Sequence, residues 1–156
     1  MEINTTRFGN IIVEQEKIIS FPEGIPGFED LKRYIFLPEE NLKLSDDNLE
    51  VFHWLQSVGD PVVAFLVVNP YLFFAEYVFD IPDEDVVALE LNSPEEIAVF
   101  NIVTIPGDKA SEITVNLLAP IVINNKLKQA KQIILNESAY STKHPFFAKA
   151  EAPAKA

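Results

Sequence analysis

Five prolines divide residues 70–120 at near-even intervals. Pro70, Pro82, Pro94, Pro106 and Pro120 are spaced twelve to fourteen residues apart, and runs rich in Val, Ile and Phe lie between them. A proline has no backbone N–H to donate to a strand ladder, so regular prolines permit only short strands. Short strands with regular breakers are typical of sandwiches and barrels. We therefore expect an all-β fold: a single-domain, antiparallel β-barrel-like structure with one or two short helices.

The clearest strand signal is the alternation of residues 113–124. The apolar members of one parity are Ile113, Val115, Leu117, Ala119, Ile121 and Ile123. This period of two predicts a strand with one face in the core and a firmly determined register. Pro120 lies within the run and predicts an edge or a bulge there.

Weaker patterns indicate the remaining elements of one domain over residues 1–147. The other predicted strands cover residues 2–6, 11–15, 17–21, 34–37, 51–56, 62–68, 97–105 and 132–136. Two of these, 62–68 and 97–105, are apolar on both parities, which predicts cover on both faces. Acids follow Pro82 and favour a helix over 83–91, with a strand over 86–91 as the alternative. Residues 148–156 have no apolar face and are expected to form a flexible tail.

The charge pattern limits the kind of partner. The net charge is −12, and no lysine or arginine occurs between Lys43 and Lys109. The acids in that stretch are Asp46, Asp47, Glu50, Asp60, Glu76, Asp80, Asp83, Glu84, Asp85, Glu90, Glu95, Glu96 and Asp108. Such a field repels nucleic acids and anionic membranes and attracts basic proteins. We expect a protein partner, with no direct binding to nucleic acid or membrane.

Composition excludes several kinds of chemistry. The chain has no cysteine, which rules out disulfides and thiolate zinc sites, and its five glycines assemble no phosphate-binding loop. The N-terminal residues lack the pattern of a secretory signal, and the apolar runs are too short to span a bilayer. The expected location is the cytoplasm, and no cofactor or catalytic residue is predicted.

Five aromatic residues crowd the segment 71–79. Either they are buried core, or some of them are exposed for binding, because aromatic rings are also favoured at interfaces. Acids among the rings favour a docking site, in which charge surrounds aromatic anchors. The predicted partner-binding residues are Phe73, Phe74 and Tyr77 as anchors, with Glu76, Asp80, Asp83 and Glu84 supplying charge.

Other candidate sites have simpler interpretations. Residues 21–29 predict a structured loop with tight turns at Gly24 and Gly27, rather than a binding loop. His53 alternates with apolar neighbours, which favours a core or half-buried histidine over a catalytic one. The acids from Asp80 to Asp85 supply carboxylates for calcium or magnesium but lack the glycine of an EF-hand loop. A metal-dependent hydrolase using this cluster is the rival hypothesis, and a general acidic chaperone of exported proteins is another.

Several stretches together resemble the flagellar assembly factor FliW family. They are residues 21–29, 55–57, 64–65, 114–124, 132–135 and 140–145, so the resemblance covers about residues 2–147. Ala130 departs from it, because a glycine is expected there in the last hairpin.

The resemblance implies a compact β-barrel-like protein without enzymatic activity, expected to be monomeric when alone. It implies two partners, flagellin and the RNA-binding translational repressor CsrA. By the same resemblance, flagellin held in the cell is expected to occupy the protein. When flagellin is exported, the freed protein is expected to bind CsrA and relieve the repression of flagellin translation.

Overall fold

A computed structural model describes residues 1–38, 52–105, 112–135 and 138–145. The strands in these ranges are β1 Glu2–Thr5, β2 Gly9–Ile12, β3 Ile19–Ser20, β4 Arg33–Pro38, β5 Phe52–Ser57, β6 Ala64–Val68, β7 Ile97–Thr104, β8 Thr114–Val115, β9 Ile121–Asn124, β10 Gln129–Gln132 and β11 His144–Pro145. The helix α1 covers Asp83–Ala88, and 3-10 turns cover Gln15–Lys17, Pro70–Leu72 and Pro94–Glu96.

Seven of the strands pair in a closed ring. The order β7-β6-β5-β4-β3-β10-β9 returns to β7 through a β7–β9 pairing. The expected β-barrel-like fold is therefore confirmed. One pair departs from the antiparallel expectation, because β10 runs parallel to β3 with Gln129 opposite Ser20. These two strands are far apart in sequence, and no hairpin constrains their relative direction.

Apolar residues fill the ring and also cover much of its outside. Tyr34, Leu55 and Val67 are fully buried in the interior cluster. Outside, the β1–β2 hairpin packs on Ile35, and Leu89 at the end of α1 packs on Val122. The segment 70–79 covers a third patch, described below. Cover on two faces explains why the predicted strands at 62–68 and 97–105 are apolar on both parities.

The alternating run 113–124 is buried as predicted but is not one strand. All six apolar residues of the predicted face are buried, with exposures of 0–7%. The strand breaks between β8 and β9, where the Asn116 side chain accepts hydrogen bonds from the N–H groups of Leu118 and Ala119, both at 3.1 Å. Pro120 follows and cannot restore the ladder until β9 begins. The predicted break at Pro120 thus takes the form of a five-residue turn.

Several other boundaries differ from the predictions; the strands predicted over 11–15 and 62–68, for example, are Gly9–Ile12 and Ala64–Val68. The predicted strand 17–21 starts as a 3-10 turn, so only Ile19–Ser20 pairs. The helix predicted over 83–91 ends at Ala88, and the last predicted strand lies earlier, at Gln129–Gln132. Several residues named in the sequence predictions lie outside the described residues. They are the predicted tail 148–156, residues 51 and 136, Pro106, and the acids Asp46, Asp47, Glu50 and Asp108.

The departure at Ala130 has a packing reason. Ala130 lies inside β10, is 1% exposed and faces the interior cluster. The hairpin's left-handed residue is instead Lys128, with a φ of 57°. The limited space inside the ring therefore favours a small residue at position 130, and the turn geometry does not require one.

Asn124 ties the last hairpin to the helix. Its amide nitrogen donates to the carbonyls of Leu89 and Glu90, at 2.8 and 3.3 Å. Its amide oxygen accepts from the N–H groups of Lys126 and Leu127. The side chain is buried, and both of its polar atoms are hydrogen-bonded. It thus supplies a donor to the free carbonyls at the end of α1 and an acceptor to the N–H groups at the start of the turn.

The loop 21–29 is built on two left-handed glycines, as predicted. Gly24 and Gly27 have φ values of 68° and 91°. Phe21 and Ile25 are buried beneath the loop, and Phe28 stacks edge-on against Phe65 at 5.2 Å. A Cβ at Gly24 would lie 2.5 Å from the Glu29 Cα, whereas one at Gly27 would meet nothing within 4 Å.

Three glycine-to-alanine variants separate backbone strain from steric clash. We expect Gly27→Ala to lower the free energy of unfolding by about 1–2 kcal/mol, through its left-handed backbone alone. Gly24→Ala adds a clash with backbone and is expected to cost about 3 kcal/mol or more. Gly59→Ala, which has neither problem, is the control, with a change within about 0.5 kcal/mol. Urea unfolding followed by Trp54 fluorescence measures all three. Equal losses for Gly24→Ala and Gly27→Ala would contradict the contact described.

Candidate docking surface

The segment after β6 turns away from the sheet because of two adjacent residues. Pro70 lacks the N–H that would extend the ladder, and it opens a 3-10 turn over Pro70–Leu72. The Asn69 side chain accepts a hydrogen bond from the Tyr71 N–H at 3.0 Å. The aromatic run 71–79 consequently forms turns that lie over the outside of the ring, rather than a strand.

Phe74 and Tyr77 are core residues in this arrangement. They are 5% and 3% exposed and pack with Phe52, Val68 and Val103. Of the two roles left open for the aromatic run, buried core is therefore the one that these rings adopt. In this conformation the two rings present almost no surface to a partner, so the prediction that they are anchors is at odds with their burial. Phe73 is half-buried against the same cluster.

A buried hydrogen-bond network holds Tyr77 in place. Its hydroxyl donates to the Leu117 carbonyl at 2.6 Å and accepts from the Asn101 amide nitrogen at 3.2 Å. The same nitrogen donates to the Asn116 carbonyl at 2.8 Å. Burial raises the pKa of Tyr77 above its ordinary value, so the hydroxyl stays neutral at physiological pH. This network fastens the segment 70–79 to β7 and to the turn before β9.

Different apolar residues of the segment face solvent. Tyr71, Leu72 and Val78 are 45%, 61% and 74% exposed. A spacing of three residues between Phe74 and Tyr77 is typical of a turn, and it is the signal that separates the buried rings from their neighbours. We define the docking surface as the exposed residues of this segment and the following helix start: Tyr71, Leu72, Glu76, Val78, Asp80, Asp83 and Glu84.

The four acids predicted for the site are all exposed. The neighbouring Asp85 is not: it is 4% exposed, and the Lys131 ammonium lies 2.5 Å from its carboxylate. Lys131 also lies 3.4 Å from the Glu23 carboxylate. The bond to Asp85, more than the attraction of Glu23, raises the pKa of Lys131. Lys131, which lies outside the acidic stretch, thus neutralises the buried Asp85. The four exposed acids form no ion pair within the described residues.

The acid cluster does not converge on a metal site in the part of the chain described. No group of three His, Asp or Glu side chains there is placed to hold an ion. Asp85, which the hydrolase alternative requires, is instead bonded to Lys131. No helix among the described residues is long and apolar enough to cross a membrane.

Both histidines take structural positions. His53 is half-buried in the ring, with its imidazole 6.2 Å from the centres of the Phe36 and Phe100 rings. His144 lies in β11, and its ring meets Phe74 edge-on at 5.1 Å. The interpretation of His53 as a half-buried packing residue is in line with this placement.

Two shallow grooves, each of about 430 Å³, flank Phe79. One is lined by Val78, Phe79, Asp80, Pro82, Ile134, Leu135 and Ser138. The other is lined by Asn69, Tyr71, Phe79, Ile81, Pro94 and residues 97–100. Neither of these linings contains a lysine or an arginine. The docking surface therefore combines exposed apolar side chains, concave walls and unneutralised acids.

Comparison with known proteins assigns the family. The model of the FliW protein family matches residues 2–146. The chain belongs to the FliW family. The flagellar assembly factor FliW of Desulfitobacterium hafniense is 43% identical over 152 residues, covering 97% of this chain and 95% of that protein. The FliW of Alkaliphilus metalliredigens is 42% identical over 144 residues, covering 92% and 85%.

A solved structure supports the same assignment. The crystal structure of a flagellar assembly factor FliW matches with a TM-score of 0.83 and 32% identity, covering 94% of this chain and 96% of that one. The family resemblance found in the sequence is thereby confirmed. These relatives are named flagellar assembly factors.

Alanine variants distinguish the buried rings from the exposed ones. We expect Phe74→Ala to lower the free energy of unfolding by about 3–5 kcal/mol, because it leaves a cavity under the segment. Tyr77→Phe is expected to cost about 1–3 kcal/mol, because the Leu117 carbonyl loses its donor. Tyr71→Ala and Leu72→Ala are the matched exposed controls and should cost less than about 1 kcal/mol. Chemical denaturation measures each value. A small loss for Phe74→Ala would show that its ring is not packed as described.

The Lys131–Asp85 pair gives a second stability test. Lys131→Met leaves a buried carboxylate without its cation and is expected to cost about 2 kcal/mol. Because the pKa of Lys131 is raised from 10.5, the pair's contribution is fully present below that pH and is lost as pH rises through the folded-state value. Lys126→Met, on an exposed residue of the same hairpin, is the control. A double-mutant cycle with Asp85→Asn isolates the coupling. Zero coupling would contradict the pair.

Proposed function

We propose that this protein acts in flagellar assembly as a binding protein with two alternative partners, flagellin and the repressor CsrA. Flagellin occupies it while flagellin is retained in the cell. Once flagellin is exported, the freed protein binds CsrA and relieves the repression of flagellin translation. Membership of the FliW family supports this role, since the relatives are named flagellar assembly factors.

The observation that carries the proposal is the docking surface itself. Exposed Leu72 and Val78 lie in a segment whose exposed acids carry no ion pair within the described residues. Soluble proteins seldom leave large apolar side chains in a contiguous exposed segment without a binding role. Acids around them select a basic partner and exclude an acidic one.

Electrostatics connects this surface to the repressor. A protein that binds RNA must present basic surface to phosphates, so CsrA is a suitable partner for an acidic face. When this protein is docked on CsrA, the electrostatic field of its acids extends over one Debye length, which is about 8 Å at physiological salt. The acids concerned are Glu76, Asp80, Asp83 and Glu84. An acidic protein docked near an RNA site therefore disfavours RNA even where it does not cover the whole site.

Charge reversal tests the steering role of the four acids. Changing Glu76, Asp80, Asp83 and Glu84 to Lys takes the net charge from −12 to −4, since each change adds two charges. We expect CsrA association to slow about tenfold and to lose most of its salt dependence. Stopped-flow kinetics across a salt series measures both quantities.

The matched control reverses four exposed acids elsewhere: Glu2, Glu14, Glu16 and Asp30. This variant has the same net charge of −4 by the same arithmetic, so only the position of the charges differs. Equal slowing in the two variants would mean that the net charge, rather than the docking surface, steers association.

Partner exchange makes a reciprocal prediction. If flagellin and CsrA disfavour each other, flagellin must weaken CsrA binding by the same factor by which CsrA weakens flagellin binding. Calorimetric titration of each partner, with and without saturation by the other, measures the two factors. No effect in either direction would refute a direct exchange, and agreement between the two factors checks that both titrations reached equilibrium. Amide exchange with each partner then locates the two footprints.

The alternatives are separated by simple binding and melting controls. A general acidic chaperone would bind unrelated unfolded proteins as tightly as flagellin. A metal-dependent hydrolase would melt at a higher temperature in excess magnesium, calcium or manganese, because a ligand at 100 times its Kd adds about 2.7 kcal/mol. We expect neither behaviour.

A further inference from the structure

Strand β7 has an open edge at its N-terminal end. The Ile102 carbonyl accepts a hydrogen bond from the Asn116 N–H at 2.9 Å, on the side of β8 and β9. The backbone N–H and C=O groups of successive residues in an antiparallel strand point to opposite sides. The groups of Ile97, Val99 and Asn101 therefore point towards β6. There Asn101 lies opposite Val68, the last residue of β6.

The edge is open because β6 ends too early to cover it. The next position along β6 that would pair with Val99 is Pro70, which has no N–H. The Pro70 carbonyl is also used, since it accepts from the N–H groups of Phe73 and Phe74. Among the described residues, none forms a backbone hydrogen bond with Val99 on this side. Val99 is only 9% exposed, and its backbone N–H and C=O are the one donor and one acceptor that remain for strand pairing on this side.

The open edge forms one wall of a groove. Residues 97–100 line it on one side, and Tyr71, Phe79 and Ile81 line it on the other. Four strand residues span about 13 Å at roughly 3.3 Å each, enough for a short extended segment. The groove thus supplies both elements of strand addition: main-chain groups on one wall and apolar side chains on the other.

Charge indicates what kind of segment fits. No charged residue lines the groove itself, but two exposed acids lie beside it in the chain. Asp80, which lines the neighbouring groove, lies between Phe79 and Ile81, and Glu95 follows Pro94. No lysine or arginine lines the groove among the described residues. The chain as a whole has a net charge of −12, so a second copy of it is disfavoured there.

We propose that this groove binds an extended, basic segment of a partner protein, which pairs with Val99 as an added strand beside β7. Apolar side chains of the segment pack on Tyr71, Phe79 and Ile81, and its basic side chains reach Asp80 and Glu95. The inference rests on the proposed protein-binding role of the docking surface and specifies the form in which a partner binds.

A peptide probe tests strand pairing without changing the protein. The probe is an acetylated, amidated heptapeptide of alternating lysine and valine, titrated by calorimetry. Two further versions carry N-methyl groups on the valine nitrogens or on the lysine nitrogens. Strand addition uses one edge of the peptide, so one methylated version should bind about tenfold more weakly, the equivalent of about 1.4 kcal/mol. Amide exchange should slow at Val99 and remain unchanged at exposed Ile12.

Protein variants test the charge of the groove. Asp80→Lys with Glu95→Lys should weaken the lysine–valine peptide about tenfold, and Glu14→Lys with Glu16→Lys should change its affinity less than about twofold. A glutamate–valine peptide should bind the unaltered protein far more weakly.

Three results would overturn the inference. They are equal binding of all three lysine–valine peptides, no binding at about millimolar peptide, and unchanged exchange at Val99. Self-association that the peptide reverses would also overturn it, since the occupant would then be a second copy. If flagellin and CsrA bind while the methylated peptides match the parent, strand addition fails and the proposed function stands. If the parent peptide binds as expected but neither flagellin nor CsrA binds, the proposed function fails and strand addition stands.

Discussion

A strand has only two edges, but β7 has three neighbours. It pairs with β9 through residues 97–100, with β8 through residues 103–104, and with β6 through Asn101 and Ile102. The β7–β9 pairing closes the ring, and the remaining part of the same edge of β7 pairs with β8, which lies outside the ring. The other edge is covered by β6 for only two residues, because Asn69 and Pro70 turn the chain outward. Closure of the fold and the open groove thus arise from the same strand.

The outer cover of the ring is held by buried polar side chains with several partners each. Tyr77 and Asn101 fasten the aromatic segment to β7, Asn124 fastens α1 to the last hairpin, and Lys131 joins the helix to the loop 21–29. Such groups stabilise only when their bonds are made, so they specify where each cover segment lies. The exposed residues of the docking surface alternate with buried ones, of which Phe74 and Tyr77 pack on the outside of the ring.

Much of the fold follows from local patterns. Prolines and alternating residues predicted short strands, and glycines predicted the turns at Gly24 and Gly27, both of which have positive φ. The charged half of the site was also predictable, because an acid without a nearby base remains exposed. The aromatic half was not. Phe74 and Tyr77 became core and Tyr71 and Leu72 became surface, because the Asn69–Pro70 turn changed the period of the segment from that of a strand to that of a turn.

The sequence by itself determined the β-rich class, the burial of the 113–123 face, the family and the sign of the docking surface. These depend on the order and chemistry of residues close together in the chain. Tertiary structure alone decided which rings are exposed, which acid Lys131 neutralises, and that β6 stops short of Val99. Each of those outcomes depends on segments 30 or more residues apart meeting in space, such as Asp85 with Lys131 and Val68 with Asn101. Local sequence patterns do not identify such contacts, because the same alternation of apolar and polar residues is compatible with more than one set of neighbouring strands.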